Sequence, residues 1–202
     1  MEQYLQQTPV ASVIFIFTIV TTLYAFYNEA ALNKLMLHPY SIHRGEKLYT
    51  IFTSALIHKD WMHLFFNMFT FYAFAFRLEE TMGHWQFAVL YLASMPLSDV
   101  TTIAKQKNNM WYHSLGASGA ISAVLFSAIL FFPKMTLMIF PLPIPIPAII
   151  FGPLYLIYSA YASKQSSHIN HDAHFFGAIS GLIITIVLFP PIIKHFLAEL
   201  LG

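Results

Sequence analysis

The chain has 202 residues, of which 57% are hydrophobic and 9% are charged, and its formal net charge at pH 7 is +1. A soluble domain carries about 25% charged residues, so this composition excludes a water-exposed globular surface and predicts a chain largely immersed in a lipid bilayer. The small net charge provides no basic field for nucleic acid, and no nucleic-acid partner is expected. Cysteine is absent, which removes disulfides, thiolate catalysis and cysteine-ligated zinc.

Six apolar stretches approach the roughly 20 residues that a helix needs to cross the hydrocarbon core. We therefore predict an all-α, polytopic membrane bundle of six transmembrane helices, built as one domain over residues 1–202. The N-terminus lacks the positive start of a signal peptide, so the first apolar run is expected to be retained. In chain order the expected spans are 9–27, 61–77, 84–104, 115–132, 146–162 and 172–189.

Two connecting segments are unusual. The first, about 28–60, is long enough to predict a functional role, and its apolar patch LYTIFTSALI predicts an amphipathic piece in the membrane interface. The second, PLPIPIP at 141–147, cannot be helical because proline lacks the amide donor. It predicts a rigid extended linker into the fifth span.

Polar residues inside the spans lie near the starts of the second, fourth and sixth spans. These are His63 and Asn67, then Ser118, then His174. With six spans, all three starts lie on the same side of the membrane at similar depth. Polar groups in lipid cost several kcal/mol when they lack partners, so their grouping at one depth predicts a site.

The distribution of lysine and arginine bears on orientation. Most of these residues lie on the side of the predicted site, which the positive-inside rule makes cytoplasmic. Many of them belong to the interfacial loop at 28–60, where the rule is weak. The orientation of the chain is therefore left open.

The sequence Gly116-Ala117-Ser118-Gly119 opens the fourth span. A serine hydroxyl becomes a nucleophile when a base takes its proton, and flanking glycines let another chain approach closely. Unpaired amides at the start of a helix can hold a developing oxyanion. The alternative is a small-residue packing face between membrane helices, which this motif on its own favours.

His174 lies three residues before Gly177 and seven before Gly181, so the three share one face of the sixth span. Close packing of this face on the fourth span would bring His174 to Ser118 as its general base. Asp172 lies two positions from His174 and points elsewhere, which favours a dyad over a triad. The alternative is a histidine buried for packing.

His63 and Asn67 are four residues apart and project from one face of the second span. Both side chains can donate a hydrogen bond without carrying a charge, as an oxyanion site in a low-dielectric region requires. The alternative is a polar pair that holds helices together.

The combination of H-x-x-x-N, G-x-S-G and A-H-x-x-G in three successive even-numbered spans resembles the rhomboid proteases, in the six-helix form common in bacteria. The resemblance covers nearly the whole chain. It implies an intramembrane serine endopeptidase that cleaves transmembrane protein substrates near the membrane face and needs no cofactor. It also implies a multi-pass protein of the bacterial inner membrane, surrounded by lipid.

The resemblance implies roles for individual residues. Ser118 would be the nucleophile and His174 its general base. His63, Asn67 and the Ser118 amide would form the oxyanion hole.

Further residues would shape the site. Gly116 and Gly119 would shape the turn at the serine, and Gly177 and Gly181 would let the sixth span dock on the fourth. His58 matches a histidine that the family often has at the end of its first long loop, with a structural role.

The chain departs from the family pattern at two places. The long loop reads Tyr49-Thr50 where the family often has Trp-Arg. Ser122, four residues after the serine, stands where the family often has an aromatic that packs on the catalytic histidine. Phe175 or Phe176 is expected to take over that packing.

Two other functions compete with a protease. His168, His171 and His174 are three residues apart and could form a metal site. However, this spacing drifts around a helix and no Glu partner is near, so no metal is expected. The second alternative is a catalytically silent relative that binds membrane proteins for quality control. Such relatives typically lack the serine or the histidine, and this chain has both.

Overall fold

A computed structural model of the chain describes residues 2–139, 142–165 and 169–202. The described part is mostly helical, with one short β-hairpin and a 3-10 turn at Ser54–Leu56. In chain order the α-helices are α1 (Glu2–Gln7), α2 (Pro9–Phe26), α3 (Glu29–Leu35), α4 (Pro39–Ile42), α5 (Thr50–Thr53), α6 (Trp61–Met82), α7 (His84–Gln106), α8 (Ser118–Phe131), α9 (Ala148–Ala162), α10 (His171–Leu188) and α11 (Ile192–Leu201).

Among the described residues, three helices are long and apolar enough to cross a bilayer by length and composition. They are α2, α7 and α10. The helices α8 and α9 are apolar but shorter, and α6 carries charged residues in its last turns. By these measures the described part of the chain has three candidate spans, so the six expected from the sequence are not confirmed.

The expected boundaries shift where a local constraint intervenes. The fourth predicted span corresponds to α8, which begins at Ser118 rather than at Leu115. Gly116 has a φ of +120°, which is incompatible with an α-helix. The second predicted span corresponds to α6, which continues to Met82, past the expected end at Arg77. The other predicted spans begin and end within two residues of the observed helices, whereas α1 and α11 were not predicted.

A buried carboxylate explains why α6 continues. The Glu79 side chain is fully buried and accepts hydrogen bonds from the amides of Val10 and Ala11, at 3.1 and 2.6 Å. These amides belong to the first turn of α2, where a negative charge is stabilised. His84 Nδ1 lies 2.7 Å from the same carboxylate. Glu79 therefore joins the start of α2 to the end of α6.

The proline-rich linker forms a strand. The hairpin pairs β1 (Thr136–Ile139) with β2 (Leu142–Pro147), so the extended conformation is confirmed for 142–147, while Pro141 lies outside the described residues. Ala148 donates to the Met135 carbonyl at 3.0 Å, so Pro147 and Pro145 take positions that donate no ladder bond. The strand thereby includes Ile146, and α9 begins at Ala148 rather than at Ile146.

The long segment at 28–60 folds into α3, α4, α5 and the 3-10 turn. Leu37 and Ser114 exchange backbone hydrogen bonds of 2.8 and 3.2 Å, which joins this segment to the loop before α8. Where the family often has Trp-Arg, the Tyr49 hydroxyl donates to the Lys34 carbonyl at 3.1 Å, and Thr50 is buried. The location of this segment in the membrane interface stays a prediction.

Helix α8 is the centre of the molecule and is buried along almost its whole length. Helix α10 lies against it through glycines, because a Cβ at Gly177 would collide with the Gly119 carbonyl and one at Gly181 with the Ala123 carbonyl. Side chains therefore cannot separate the two backbones at these points. Thr185 Oγ1 extends the contact with a 2.7 Å bond to Ser127 Oγ.

This contact predicts a strong position effect for glycine-to-alanine substitution. Gly181→Ala should lower the free energy of unfolding by about 1–3 kcal/mol, the usual cost of overpacking a close contact. Gly152→Ala in α9 is the control, because its Cβ would lie 3.7 Å from Ile129 and Phe126, at ordinary contact distance. Thermal midpoints in detergent would measure both effects. Equal midpoints for the two variants would contradict the close approach of α8 and α10.

Candidate active site

Ser118 occupies the first position of α8, directly after a turn that requires glycine. Gly116 has a φ of +120°, and a Cβ there would also lie 2.6 Å from His63 Cε1. The turn is fixed from a second direction by the Gly116 amide, which donates to the Ser54 carbonyl at 2.9 Å. Ser118 is partly exposed, and it faces the cavity described below.

His174 lies 2.8 Å from the serine, measured from Nε2 to Ser118 Oγ. The start of α10 is fixed by Asn170, whose side chain accepts from the Ala173 amide at 3.1 Å and from Thr102 Oγ1 at 3.0 Å. This cap orients the first turn of α10, which carries His174. The docked glycine face one turn later brings that turn against α8.

Asp172 does not contact this pair. Its carboxylate forms an ion pair with Lys105 of α7 at 2.8 and 2.9 Å. Ser118 and His174 therefore form a two-residue arrangement, as the spacing of Asp172 and His174 predicts.

The two predicted oxyanion donors lie at the start of α6. The Asp60 side chain caps this helix by accepting from the His63 amide at 2.8 Å. Asn67 Nδ2 donates to the His63 carbonyl at 2.9 Å, and Asn67 lines the same cavity as Ser118 and His174.

The His63 ring packs against the Gly116 turn rather than lining the cavity. Its Nδ1 accepts a long bond of 3.5 Å from the Lys59 amide. A neutral ring that accepts at Nδ1 carries its proton on Nε2. Nε2 is thus the donor on the side of the ring toward the serine turn.

His58 holds the loop before Ser118 in place. It is fully buried, its Nε2 accepts from the Ala117 amide at 3.4 Å, and its Nδ1 lies 3.0 Å from Thr22 Oγ1. The Thr22 hydroxyl can donate to the Leu56 carbonyl at 3.2 Å, so it accepts from His58 Nδ1–H. These bonds tie the serine turn to α2 through a neutral imidazole.

The aromatic ring against His174 comes from α9 and was not predicted from the sequence. Tyr155 stacks on His174 with ring centroids 6.4 Å apart and an interplanar angle of 22°. Its hydroxyl lies 2.7 Å from Ser122 Oγ. The expectation that Phe175 or Phe176 takes this place is wrong, because those two rings pack on each other, 5.2 Å apart. The contact between Tyr155 and Ser122 depends on how α9 packs against α8, which no local sequence motif predicts.

The serine and the histidine open into a cavity of about 610 Å³. It follows α6 and α8 from Ser118 as far as Arg77, and α9 and β1 form its other walls. A second cavity of about 700 Å³ lies at the opposite ends of the helices, around Arg77, Lys134 and His195, away from the serine. The first cavity is elongated and mainly apolar in its lining, as a site for an apolar peptide segment needs.

A metal site gains no support from the described residues, in which no three His, Asp or Glu side chains are placed to hold one ion. His171 packs edge-to-face on His174, with ring centroids 5.8 Å apart. His168 lies outside the described residues.

The burial of His58 predicts a pH-dependent stability. Burial, with a smaller contribution from neighbouring His63, lowers the pKa of His58 to about 3. The unfolded chain therefore takes up a proton near pH 6.5 that the folded chain refuses. The stabilisation contributed by His58 is complete above pH 6.5 and is lost as the pH falls toward 3.

Thermal midpoints of wild type and His58→Ala across this pH range would measure the effect. The difference between them should be largest at neutral pH and should shrink as the pH falls below 6.5. The exposed His43, from the same long segment, is the control for loss of an imidazole. A difference that stayed constant from pH 7 to pH 4 would contradict a buried neutral His58.

Comparison with known proteins adds a family to this geometry. The model of the Rhomboid domain matches residues 45–191, which is most of the chain. YdcA of Bacillus subtilis, which is named as a candidate rhomboid protease, is 28% identical over 143 residues, covering 67% of this chain and 64% of YdcA.

Mitochondrial relatives give a similar result. The presenilin-associated rhomboid-like protein of Rattus norvegicus is 24% identical over 174 residues, covering 79% of this chain and 44% of the relative. The protein of the same name from Homo sapiens is 28% identical over 142 residues, covering 64% of this chain and 35% of the relative. The chain thus spans between about a third and two thirds of the length of these relatives. From the extent of the domain match, this chain is a member of the rhomboid family, with the apolar helices of a multi-pass membrane protein.

Proposed function

We propose that this rhomboid is an intramembrane serine endopeptidase that cleaves transmembrane-anchored proteins near the membrane face. Ser118 is the nucleophile and His174 the general base. The single observation that carries the proposal is the 2.8 Å contact between His174 Nε2 and Ser118 Oγ, both of which line a mainly apolar cavity. The relative YdcA, named as a candidate rhomboid protease, supports the same chemistry.

The proposed arrangement in the membrane is a single domain, 1–202, with six spans formed by α2, α6, α7, α8, α9 and α10. Helix α8 is about 21 Å long at 1.5 Å per residue, shorter than the hydrocarbon core, but it is surrounded by other helices and need not reach both surfaces. Large apolar side chains on the outer faces support contact with lipid, among them Val13, Phe17, Phe69 and Ile157. A bacterial inner membrane stays an expectation from the resemblance.

The reaction begins with proton transfer. His174 Nε2 takes the proton from Ser118 Oγ as that oxygen attacks the substrate carbonyl. Among the residues that the structure describes, no carboxylate orients the imidazole, since Asp172 is paired with Lys105. The ring is held by the packing of Tyr155 and His171 instead.

The tetrahedral intermediate needs donors for its oxyanion. Asn67 uses one amide hydrogen on the His63 carbonyl, which leaves its second hydrogen for the substrate oxygen. The amides of the first turn of α8, including that of Ser118, have no carbonyl partner within the helix. His63 Nε2–H lies at the Gly116 turn beside these amides rather than on the cavity wall, so its role as the third donor requires the ring to turn toward the serine.

Collapse of the intermediate completes acylation. His174, now protonated, gives its proton to the leaving amine, and water then releases the acyl group from Ser118 by the reverse sequence. Water reaches the serine from the loop side, because Ser118 lies at the start of its helix rather than in the middle.

The test is cleavage of a transmembrane reporter reconstituted with the protein in liposomes. Ser118→Ala and His174→Ala should each lower kcat by about 10⁴-fold or more, because each removes half of the dyad. Ser94→Ala is the matched control, a buried serine of α7 whose hydroxyl bonds only to the Tyr91 carbonyl in the described structure, and it should cleave normally. A folded wild type that binds the reporter without cutting it would overturn the proposal and favour the catalytically silent binding protein.

The oxyanion assignment makes a separate prediction. Asn67→Ala should lower kcat about 100-fold with little change in KM, as expected for a donor that acts in the transition state. Thr70→Ala is the control, since Thr70 lies one turn further along the same cavity and bonds to its own helix at the Phe66 carbonyl. Equal kcat values for these two variants would contradict the assignment of Asn67 as an oxyanion donor.

A further inference from the structure

Helix α9 reaches the catalytic pair through one side chain. Tyr155 stacks on His174, and its hydroxyl lies 2.7 Å from Ser122 Oγ. The Ser122 hydroxyl donates to the Ser118 carbonyl at 2.8 Å. Because Ser122 has a single hydrogen, Tyr155 must be the donor in its own bond to Ser122. The contacts therefore run from α9 to both members of the pair.

We propose that Tyr155 is the positioning residue of His174, and that the Ser118–His174 pair is competent only while Tyr155 holds α9 against α8. This inference rests on the proposed protease function and adds a condition to it. Within the described part of the chain, the His174 side chain has no polar partner besides Ser118, so the orientation of the imidazole has to come from packing. Tyr155 provides the broad face of that packing.

Apart from Tyr155, α9 packs against the core through large apolar side chains that are only partly buried, among them Phe151 and Leu156. The residues it buries are small, namely Ala148, Gly152, Ser159 and Ala162. Pro153 lies inside the helix, where it removes one backbone hydrogen bond and loosens the turn before Tyr155. Among the described residues, the bond from Tyr155 to Ser122 is the one side-chain hydrogen bond that joins α9 to another helix.

The same side chains line the space that a substrate would occupy. Tyr155, Ser122 and Phe151 belong to the wall of the cavity that holds Ser118. A peptide segment bound in this cavity would lie against the face of α9 that carries Tyr155.

Two substitutions separate the ring from its hydroxyl. Tyr155→Leu removes both and should lower kcat for the transmembrane reporter about 10- to 100-fold with KM nearly unchanged, as expected for a misplaced catalytic group. Tyr155→Phe keeps the stacked ring and should lower kcat about fivefold, which corresponds to the loss of one neutral hydrogen bond. In each variant, the rate at which a fluorophosphonate modifies Ser118 should fall by about the same factor as kcat.

The hydrogen bond is tested by a double-mutant cycle. Ser122→Ala also removes the bond to the Ser118 carbonyl, so it should be at least as slow as Tyr155→Phe. The combined variant should be no slower than Ser122→Ala alone, because the bond between Tyr155 and Ser122 is then already absent. Tyr161→Leu is the control for α9, being an exposed tyrosine six residues on that, among the described residues, packs on neither His171 nor His174. It should retain near wild-type kcat.

The outcomes distinguish this inference from the proposed function. If wild type cleaves the reporter but Tyr155→Leu keeps its full kcat and labelling rate, Tyr155 is not a positioning residue and the protease assignment stands. Tyr155 also loses this role if kcat of Tyr155→Leu falls only in proportion to its folded fraction, measured by thermal midpoint. If wild type neither cleaves nor labels, the proposed function itself fails.

Discussion

The close approach of α8 and α10 is the contact on which the rest of the site depends. Gly177 and Gly181 lie so near the carbonyls of Gly119 and Ala123 that no side chain fits between the backbones. His174 lies one turn before this contact, and Ser118 lies at the start of the facing helix. The 2.8 Å distance between them follows from helix docking rather than from a flexible loop. The backbone positions of Ser118 and His174 are therefore as rigid as the helix bundle.

The need to satisfy buried polar groups explains much of the remaining architecture. In an apolar environment an unpaired amide or carboxylate costs several kcal/mol, and this chain uses such groups to join segments that are distant in sequence. Glu79 accepts from the first amides of α2, and His58 links the serine turn to Thr22. Asn170 connects Thr102 to the start of α10. Each of these side chains thereby helps to place one of the helices that carry the site.

Local patterns were enough to predict the elements whose constraints are local. The helical spacing of His174, Gly177 and Gly181 and the glycines around Ser118 anticipated which faces meet, while the catalytic roles of these residues remain a proposal. The alternating prolines indicated an extended segment before α9. The bond of Tyr155 to Ser122 and those of Glu79 to the amides of α2 could not be found in this way, because they join residues 33 and at least 68 positions apart. Such pairings depend on how helices pack against each other, and the spacing of residues along the chain gives no information about that packing.

The central claim is that docking of α10 on α8 makes Ser118 a nucleophile activated by His174. The most direct measurement is intact-protein mass spectrometry of the purified chain after treatment with a fluorophosphonate, in wild type and His174→Ala. The account predicts one adduct per chain in wild type, located on Ser118, and almost none in the folded variant. An adduct that formed equally fast without His174, or a folded wild type that stayed unmodified, would contradict it.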